Sequence, residues 1–280
     1  MLVNFTKMHG LGNDFVVIDE RKNEMPFDAN GIRALGDRHT GIGFDQLLGI
    51  DKAGDDDDCA FRYSIWNSDG QVSGQCGNGV RCVAAWLHRA GELKLNQEVR
   101  LRSPSGPVSV RLIDAESVTV NMGEPDFEPS RIPFDTPHQA ESYPLDIDGA
   151  PLTLGSVSMG NPHAVVQVED LKASALQRLG PQITTHPRFP EGCNTSFVKL
   201  LDRTHVHMRV HERGSGWTQA CGTGACATMA VLRLLGKVDH EVDVRLPGGH
   251  LMISWDGPGK PLWMTGPACF VFEGRLHVDA

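Results

Sequence analysis

One short stretch of this chain occurs twice, and the repetition limits the possible folds more than any other feature. Cys76-Gly77-Asn78-Gly79-Val80-Arg81-Cys82 runs into Val83-Ala84-Ala85-Trp86-Leu87. Cys221-Gly222-Thr223-Gly224-Ala225-Cys226 runs into Ala227-Thr228-Met229-Ala230-Val231-Leu232. Each copy is a cysteine, a Gly-x-Gly corner, and a run rich enough in Ala and Leu to be helical. The runs are apolar nearly all round, with Arg81 and Arg233 as the main charged exceptions, which is the pattern of a buried helix.

The repeat extends beyond the two corners. Gly12-Asn13-Asp14-Phe15 before Val16-Val17-Ile18 is answered by Gly160-Asn161-Pro162-His163 before Ala164-Val165-Val166, 148 positions on. Phe44-Asp45-Gln46 is answered by Gly192-Cys193-Asn194 at the same spacing of 148. Trp66-Asn67-Ser68 and His211-Glu212-Arg213 stand 145 apart, as do Cys76 and Cys221. Four features in one order at nearly one spacing indicate an internal duplication of about half the chain. A helix apolar on every side is buried only if a sheet curls around it. The expected fold is therefore α+β: two similar domains, each a curled mixed or antiparallel sheet around a central apolar helix. The expected boundaries are 1–120, completed by a C-terminal strand at 266–280, and 121–265, with the active site in the cleft between.

Local signals fill in the elements. Strands are expected at 1–7 and Phe15–Ile18 around a Gly-rich turn, His9 to Asp14. Asp28 is the N-cap of a short helix through Leu35 and Gly36. Further strands are expected at Leu47–Ile50, Phe61–Trp66, Val108–Leu112 and Val118–Met122. Asp55 to Asp58 reads as a solvated loop. Prolines between 123 and 151 mark a connector with short strands of its own. Beyond it a helix is expected from Asp170 to Leu179, stopping at Gly180, and strands at Val242–Leu246, Leu251–Trp255 and Cys269–Phe272.

Composition excludes several classes of function. A net charge of -9 in 280 residues argues against a nucleic-acid partner, which requires a basic face. No apolar run approaches the roughly 20 residues of a membrane span. The N-terminus lacks a charged leader followed by an apolar core, so a cytoplasmic protein is expected. Its seven cysteines then read as reduced thiols. None forms a Cys-x-x-Cys pair, which argues against structural zinc. His205, His207 and His211 alternate on an expected strand and share one face. A metal-dependent hydrolase built on them is an alternative, with solvent-facing strand histidines the plainer account.

The chemistry lies at the corners. The first amides of a helix have no intrahelical acceptor and sit at the positive end of its dipole. Such a corner binds an anion and lowers a cysteine pKa from about 8.5 toward neutrality. Two corners related by a pseudo-twofold axis would set two thiols on either side of one carbon beside a carboxylate. One sulfur then removes a proton while the other delivers one, and the amides of Gly77, Asn78, Gly222 and Thr223 stabilise the charge that develops. No cofactor or metal is needed. A thiol sensor forming a reversible Cys76–Cys221 disulfide is a further alternative.

These residues carry a resemblance. The chain resembles the diaminopimelate epimerase family in Met8-His9-Gly10-Leu11-Gly12-Asn13-Asp14-Phe15, Gly41-Ile42-Gly43-Phe44-Asp45-Gln46, Asn67-Ser68-Asp69-Gly70 and Cys76-Gly77-Asn78-Gly79. The likeness continues in Gly160-Asn161-Pro162-His163, Glu212-Arg213-Gly214 and Ala220-Cys221-Gly222-Thr223-Gly224-Ala225-Cys226. The Cys-Gly-x-Gly corner alone is shared with proline-racemase-like enzymes. The resemblance implies cofactor-independent epimerisation of LL- and meso-diaminopimelate in lysine and peptidoglycan precursor synthesis. It implies Cys76 and Cys221 as the acid/base pair, with Cys221 the base from LL to meso. Gly77, Asn78, Gly222 and Thr223 would hold the reacting carboxylate. Asn13, Asn67, Asn161, Asn194 and Arg213 would hold the distal end, with Gln46 nearby. Glu212 would accept from a substrate ammonium and, with His163, tune the thiols. A homodimer is also implied, although Phe272 stands before Glu273-Gly274 where the family commonly has Tyr.

Overall fold

A computed structural model of the chain describes residues 2–21, 25–54, 58–74 and 76–277. The chain divides into two compact units, residues 1–120 with 266–280 and residues 121–265. Each is a curled mixed sheet around one buried helix, so the α+β fold with internal duplication expected from the repeat is the fold observed.

The first unit opens with the hairpin β1 (Leu2–Gly10) and β2 (Asn13–Asp19). The expected His9–Asp14 turn shrinks to Leu11 and Gly12, because the strands pair as far as Gly10 with Asn13. Both turn residues have positive φ, 57° and 85°, the two-residue hairpin geometry that matches strand twist. Helix α1 (Ala29–Gly36) starts where expected, with the Asp28 carboxylate accepting from the Gly31 amide at 2.8 Å. β3 (Gln46–Lys52) runs parallel to β2, and β4 (Phe61–Asn67) returns antiparallel to β3. Helix α2 (Gly77–Arg89) follows the first corner. β5 (Glu98–Ser103), β6 (Gly106–Leu112) and β7 (Ser117–Asn121) form an antiparallel meander, with β5 parallel to β4. The stretch read as a solvated loop lies, at residues 55–57, outside the described residues. Asp58, at its end, pairs with Arg100.

The second unit repeats this order. After a 3-10 turn at Pro129–Arg131 come β8 (Tyr143–Ile147), β9 (Ala150–Ser158) and β10 (Pro162–Gln167). Helix α3 (Ala175–Thr184) leads to β11 (Asn194–Leu200), parallel to β10. β12 (His205–Glu212) returns antiparallel to β11 and pairs antiparallel with the short β13 (Gly216–Thr218). Helix α4 (Gly222–Leu234) follows the second corner. β14 (Glu241–Leu246), parallel to β12, then pairs with β15 (Gly249–Ser254), and β15 with β16 (Trp263–Pro267). The chain returns to the first unit as β17 (Cys269–His277), antiparallel to β1. The duplication holds to the register: Phe15 faces Gln46 in the first unit, and His163 faces Asn194 in the second.

Helix α3 departs from expectation. It starts five residues later than Asp170 and runs through Gly180 and Pro181 to Thr184. Gly180 is a packing position rather than a stop: a Cβ there would fall 2.8 Å from the Trp217 ring and 3.0 Å from the His211 Cβ. The missing side chain is what lets the helix approach those two residues.

The central helices are buried on nearly every side. In α2, Val80, Cys82, Val83, Ala84, Ala85 and Leu87 are all inaccessible to solvent; in α4, Ala225, Cys226, Ala227, Met229 and Ala230 are. α2 packs on β1, β2, β3 and β6, and α4 on β9, β10, β11, β14 and β15. Each fully buried Val, Leu or Met contributes about 1.5–3 kcal/mol relative to exposure. The N-terminus of each helix is therefore anchored by its own core. Among the described residues no helix is long and apolar enough to cross a membrane.

Candidate active site

In the first unit the site is built on the N-terminus of α2. Cys76 is its N-cap, in extended backbone (φ -141°, ψ 113°), with Sγ accepting from the Gly79 amide at 3.4 Å. Gly77 and Asn78 are the first helical residues, whose N–H groups lack an intrahelical acceptor. The β1–β2 hairpin carries Asn13 to this corner, where its Oδ1 accepts from the Cys76 thiol at 3.6 Å and from Asn78 Nδ2 at 3.3 Å. Asn13 Nδ2 donates in turn to Asp45 at 2.8 Å. Gln46 and Asn67, facing each other across β3 and β4, join through Gln46 Nε2 to Asn67 Oδ1 at 2.9 Å. Gln46 Oε1 is buried without a hydrogen-bond partner among the described residues.

A charged cluster lies behind Asn13. Lys7 and Arg38 both donate to Asp14, at 2.6 and 2.7 Å, and Arg38 also reaches Asp45 at 2.9 Å. Burial alone would raise the Asp14 pKa; the hydrogen bonds from Arg38 and Lys7 outweigh it and bring the carboxyl down to about 2.

In the second unit Cys221 caps α4 in matching backbone (φ -131°, ψ 109°). The residue is 5% exposed, and its sulfur lies 3.5 Å from Thr223 Oγ1. The helix end was expected to lower this pKa. Instead burial, followed by the Glu212 charge, pushes it well above the ordinary thiol value, because desolvation outweighs the amide of Gly224. Cys221 is thus held as a thiol. Glu212 ends β12 and accepts from Thr218. Arg213, exposed beside it, donates its amide to Asn194 Oδ1 at 2.9 Å and its guanidinium to the Glu191 carbonyl at 2.7 Å.

His163 is completely buried on β10. Burial, then the nearby Arg213 charge, lowers its pKa to about 3, so the ring is neutral at physiological pH. Nε2 pairs with Asn161 Oδ1 at 3.0 Å, and Nδ1 has no hydrogen-bond partner among the described residues. With Nε2–H donating, Nδ1 presents a bare lone pair.

The expected site residues divide between the two units. In the first, Asn13, Cys76, Gly77 and Asn78 meet at one corner, while Gln46 and Asn67 pair with each other on β3 and β4. In the second, Cys221, Gly222 and Thr223 form the corner, the Glu212 charge acts on Cys221, and Arg213 donates to Asn194 while its charge acts on His163. Three contributors were not singled out in the sequence for the site: Asp45, Thr218 and Arg81. The signal for Arg81 was a single cation inside the otherwise apolar run from Cys76 to Leu87. His205, His207 and His211 do share a face of β12, yet they engage different neighbours. His205 pairs with Asp202 at 2.9 Å and His211 Nδ1 with Thr184 Oγ1 at 2.9 Å. None of the seven cysteines is in a disulfide.

Comparison with known proteins points to one family. A family model described as diaminopimelate epimerase matches residues 5–128 and 155–271. A diaminopimelate epimerase of Pseudomonas fluorescens (strain Pf0-1) is 47% identical over 278 residues, covering 99% of this chain and 100% of the relative. Among solved structures, a hydroxyproline epimerase from Agrobacterium vitis superposes with a TM-score of 0.68 at 17% identity, covering 100% of this chain and 93% of the other. A PhzF-family phenazine biosynthesis protein of Bacillus anthracis gives 0.69 at 16%, covering 99% and 100%. At such identities these two structures speak for the fold alone.

Proposed function

Because the chain belongs to the diaminopimelate epimerase family, and so is an amino-acid epimerase, we propose that it interconverts LL- and meso-diaminopimelate on two cysteine sulfurs without a cofactor. The observation that carries the reading is the repetition of one device: a cysteine capping a buried helix in each unit, with free helix amides beside it. The reading requires the units 1–120 with 266–280 and 121–265 to present their corners to one cleft.

From LL to meso, Cys221 removes the α-proton and Cys76 delivers one to the opposite face. The carbanion is delocalised into the carboxylate, where the amides of Gly77, Asn78, Gly222 and Thr223 meet the added charge. Cys221 begins as a thiol, so as substrate binds its proton must pass to solvent, leaving the thiolate that acts as base. Glu212 supplies a reason. Its charge is one cause of the raised Cys221 pKa, and a substrate ammonium paired with Glu212 would cancel that charge. His163, neutral and buried, tunes the thiol pair together with Glu212. Asn13, Gln46, Asn67, Asn161, Asn194 and Arg213 hold the distal amino-acid end. Glu212 and Arg213 stand side by side at the end of β12, and this second charged set favours a substrate ionic at both ends over a proline-like one.

The same reading places the enzyme in the cytoplasm, in the synthesis of lysine and peptidoglycan precursors, as a homodimer. Support for the dimer comes from β17, where Val271 and Phe272 are 55% and 48% exposed and Phe272 packs edge-on against Phe5 at 6.0 Å.

The test is incubation with LL-diaminopimelate in deuterated buffer containing chelator and reductant. Deuterium should enter at one α-carbon without added cofactor, and Cys76→Ser and Cys221→Ser should each abolish full epimerisation. Near wild-type turnover by either single variant would end the two-base reading.

A further inference from the structure

Arg81 lies one turn into α2 and is completely buried, a position where a charge is tolerated only if its donors are met. Each of its three nitrogens finds an oxygen. Nη2 donates to Asn78 Oδ1 at 2.8 Å, Nη1 to the Gly77 carbonyl at 3.3 Å, and Nε to the Pro267 carbonyl at 3.1 Å. Residue 10 leaves room for the guanidinium by being a glycine: a Cβ on Gly10 would sit 3.0 Å from Nη2.

A guanidinium can only donate, so the Asn78 oxygen must face Arg81 and its NH2 must face away. That NH2 reaches Asn13 Oδ1, which also accepts from the Cys76 thiol. A continuous relay therefore runs from Pro267 through Arg81, Asn78 and Asn13 to the sulfur. The second unit is built differently. The residue 145 positions on from Arg81 is the buried Cys226, and Thr223, answering Asn78, contacts the Cys221 sulfur directly.

We propose that Arg81 is a positioning residue for the Cys76 half of the reaction, acting through the Asn78 and Asn13 amides, with no counterpart on the Cys221 half. The proposal rests on the two-thiol reading for its meaning in catalysis, but its geometry is testable without substrate. A thiol that donates a hydrogen bond is held in its neutral form. Releasing Asn78 frees Asn13, and the Cys76 thiolate then forms more readily.

The test is site-resolved alkylation by iodoacetamide of the substrate-free, full-length protein at fixed pH, for Arg81→Lys, Asn78→Ala and the double variant. Arg81→Lys should speed labelling of Cys76 by about threefold or more and leave Cys221 unchanged. The double variant should match Asn78→Ala alone, because both changes act through one amide. A wild-type Cys76 rate in Arg81→Lys, an equal change at both cysteines, or additive effects in the double variant would overturn the proposal. Should Arg81→Lys fail to fold, Asn78→Ala decides alone: faster labelling confined to Cys76 supports the relay, and an unchanged rate overturns it. Because no diaminopimelate is used, failure here and failure of the epimerase reading are separate results.

Discussion

The Cys76 sulfur lies 3.6 Å from the side-chain oxygen of Asn13, a residue 63 positions earlier in the chain. The contact exists because the two-residue turn at Leu11 and Gly12 ends β1 at the corner and starts β2 with Asn13. Asn13 is held from two sides: Asn78 Nδ2 donates to its oxygen at 3.3 Å, and the Asp45 carboxylate accepts from its Nδ2 at 2.8 Å and from the Asp14 amide at 3.1 Å.

Asp45→Ala should therefore lower kcat/KM while leaving the fold intact. A hydrogen bond to a charged acceptor contributes about 1.5–3 kcal/mol, and partial exposure of Asp45 places the loss near the lower end, roughly tenfold. Steady-state kinetics beside a thermal melt checks this. An unchanged kcat/KM would remove Asp45 from the site.

Glu212→Gln addresses the other thiol. Burial is the larger cause of the raised Cys221 pKa and the Glu212 charge the second, so removing the charge should lower the pKa without restoring the ordinary value. Alkylation of Cys221 should begin at lower pH in the variant. If Glu212 pairs with a substrate ammonium as proposed, KM for diaminopimelate should rise at the same time. A Cys221 pH profile identical to wild type would mean that Glu212 does not act on this sulfur.

Much of the fold was legible because the signals were local or repeated. Asp28 announced α1 through a cap that needs only the next three residues. The 148-residue spacing of Asn13 with Asn161 and of Gln46 with Asn194 carried the duplication, and the registers repeat it. Signals that depend on distant packing were lost. Gly180 looks like a helix stop in one dimension, and only the approach of Trp217 and His211 explains it. β5 (EVRLRS) has only two apolar residues between its charges, too weak an alternation to stand out despite the Pro104-Ser105-Gly106 turn that follows it. At the site the residue types were legible and the partners were not. That Asn13 meets Cys76 depends on hairpin register, and that Cys221 is too buried to ionise easily depends on the sheet closing around α4.

The last expectation concerns stability rather than turnover. Glu20 follows β2, and its side chain lies over Gly49 of β3, where a Cβ would fall 2.1 Å from the carboxylate. Oε1 is buried without a hydrogen-bond partner among the described residues. Burial, then the Asp51 charge, raises the Glu20 pKa from 4.5 to about 7. Below pH 4.5 the residue is protonated in both the folded and unfolded states, and its titration costs nothing there. Between 4.5 and about 7 the folded state keeps a proton that the unfolded state releases, so stability falls as pH rises. Above that range the penalty is constant, on the order of 2 kcal/mol after allowance for partial exposure. Glu20→Gln removes the titration while keeping the shape. The variant should be more stable than wild type by roughly 2 kcal/mol at pH 8 and nearly equal to it at pH 4. Urea unfolding at the two pH values checks the difference, and an effect of the same size at both would show that burial of the charge is not its cause.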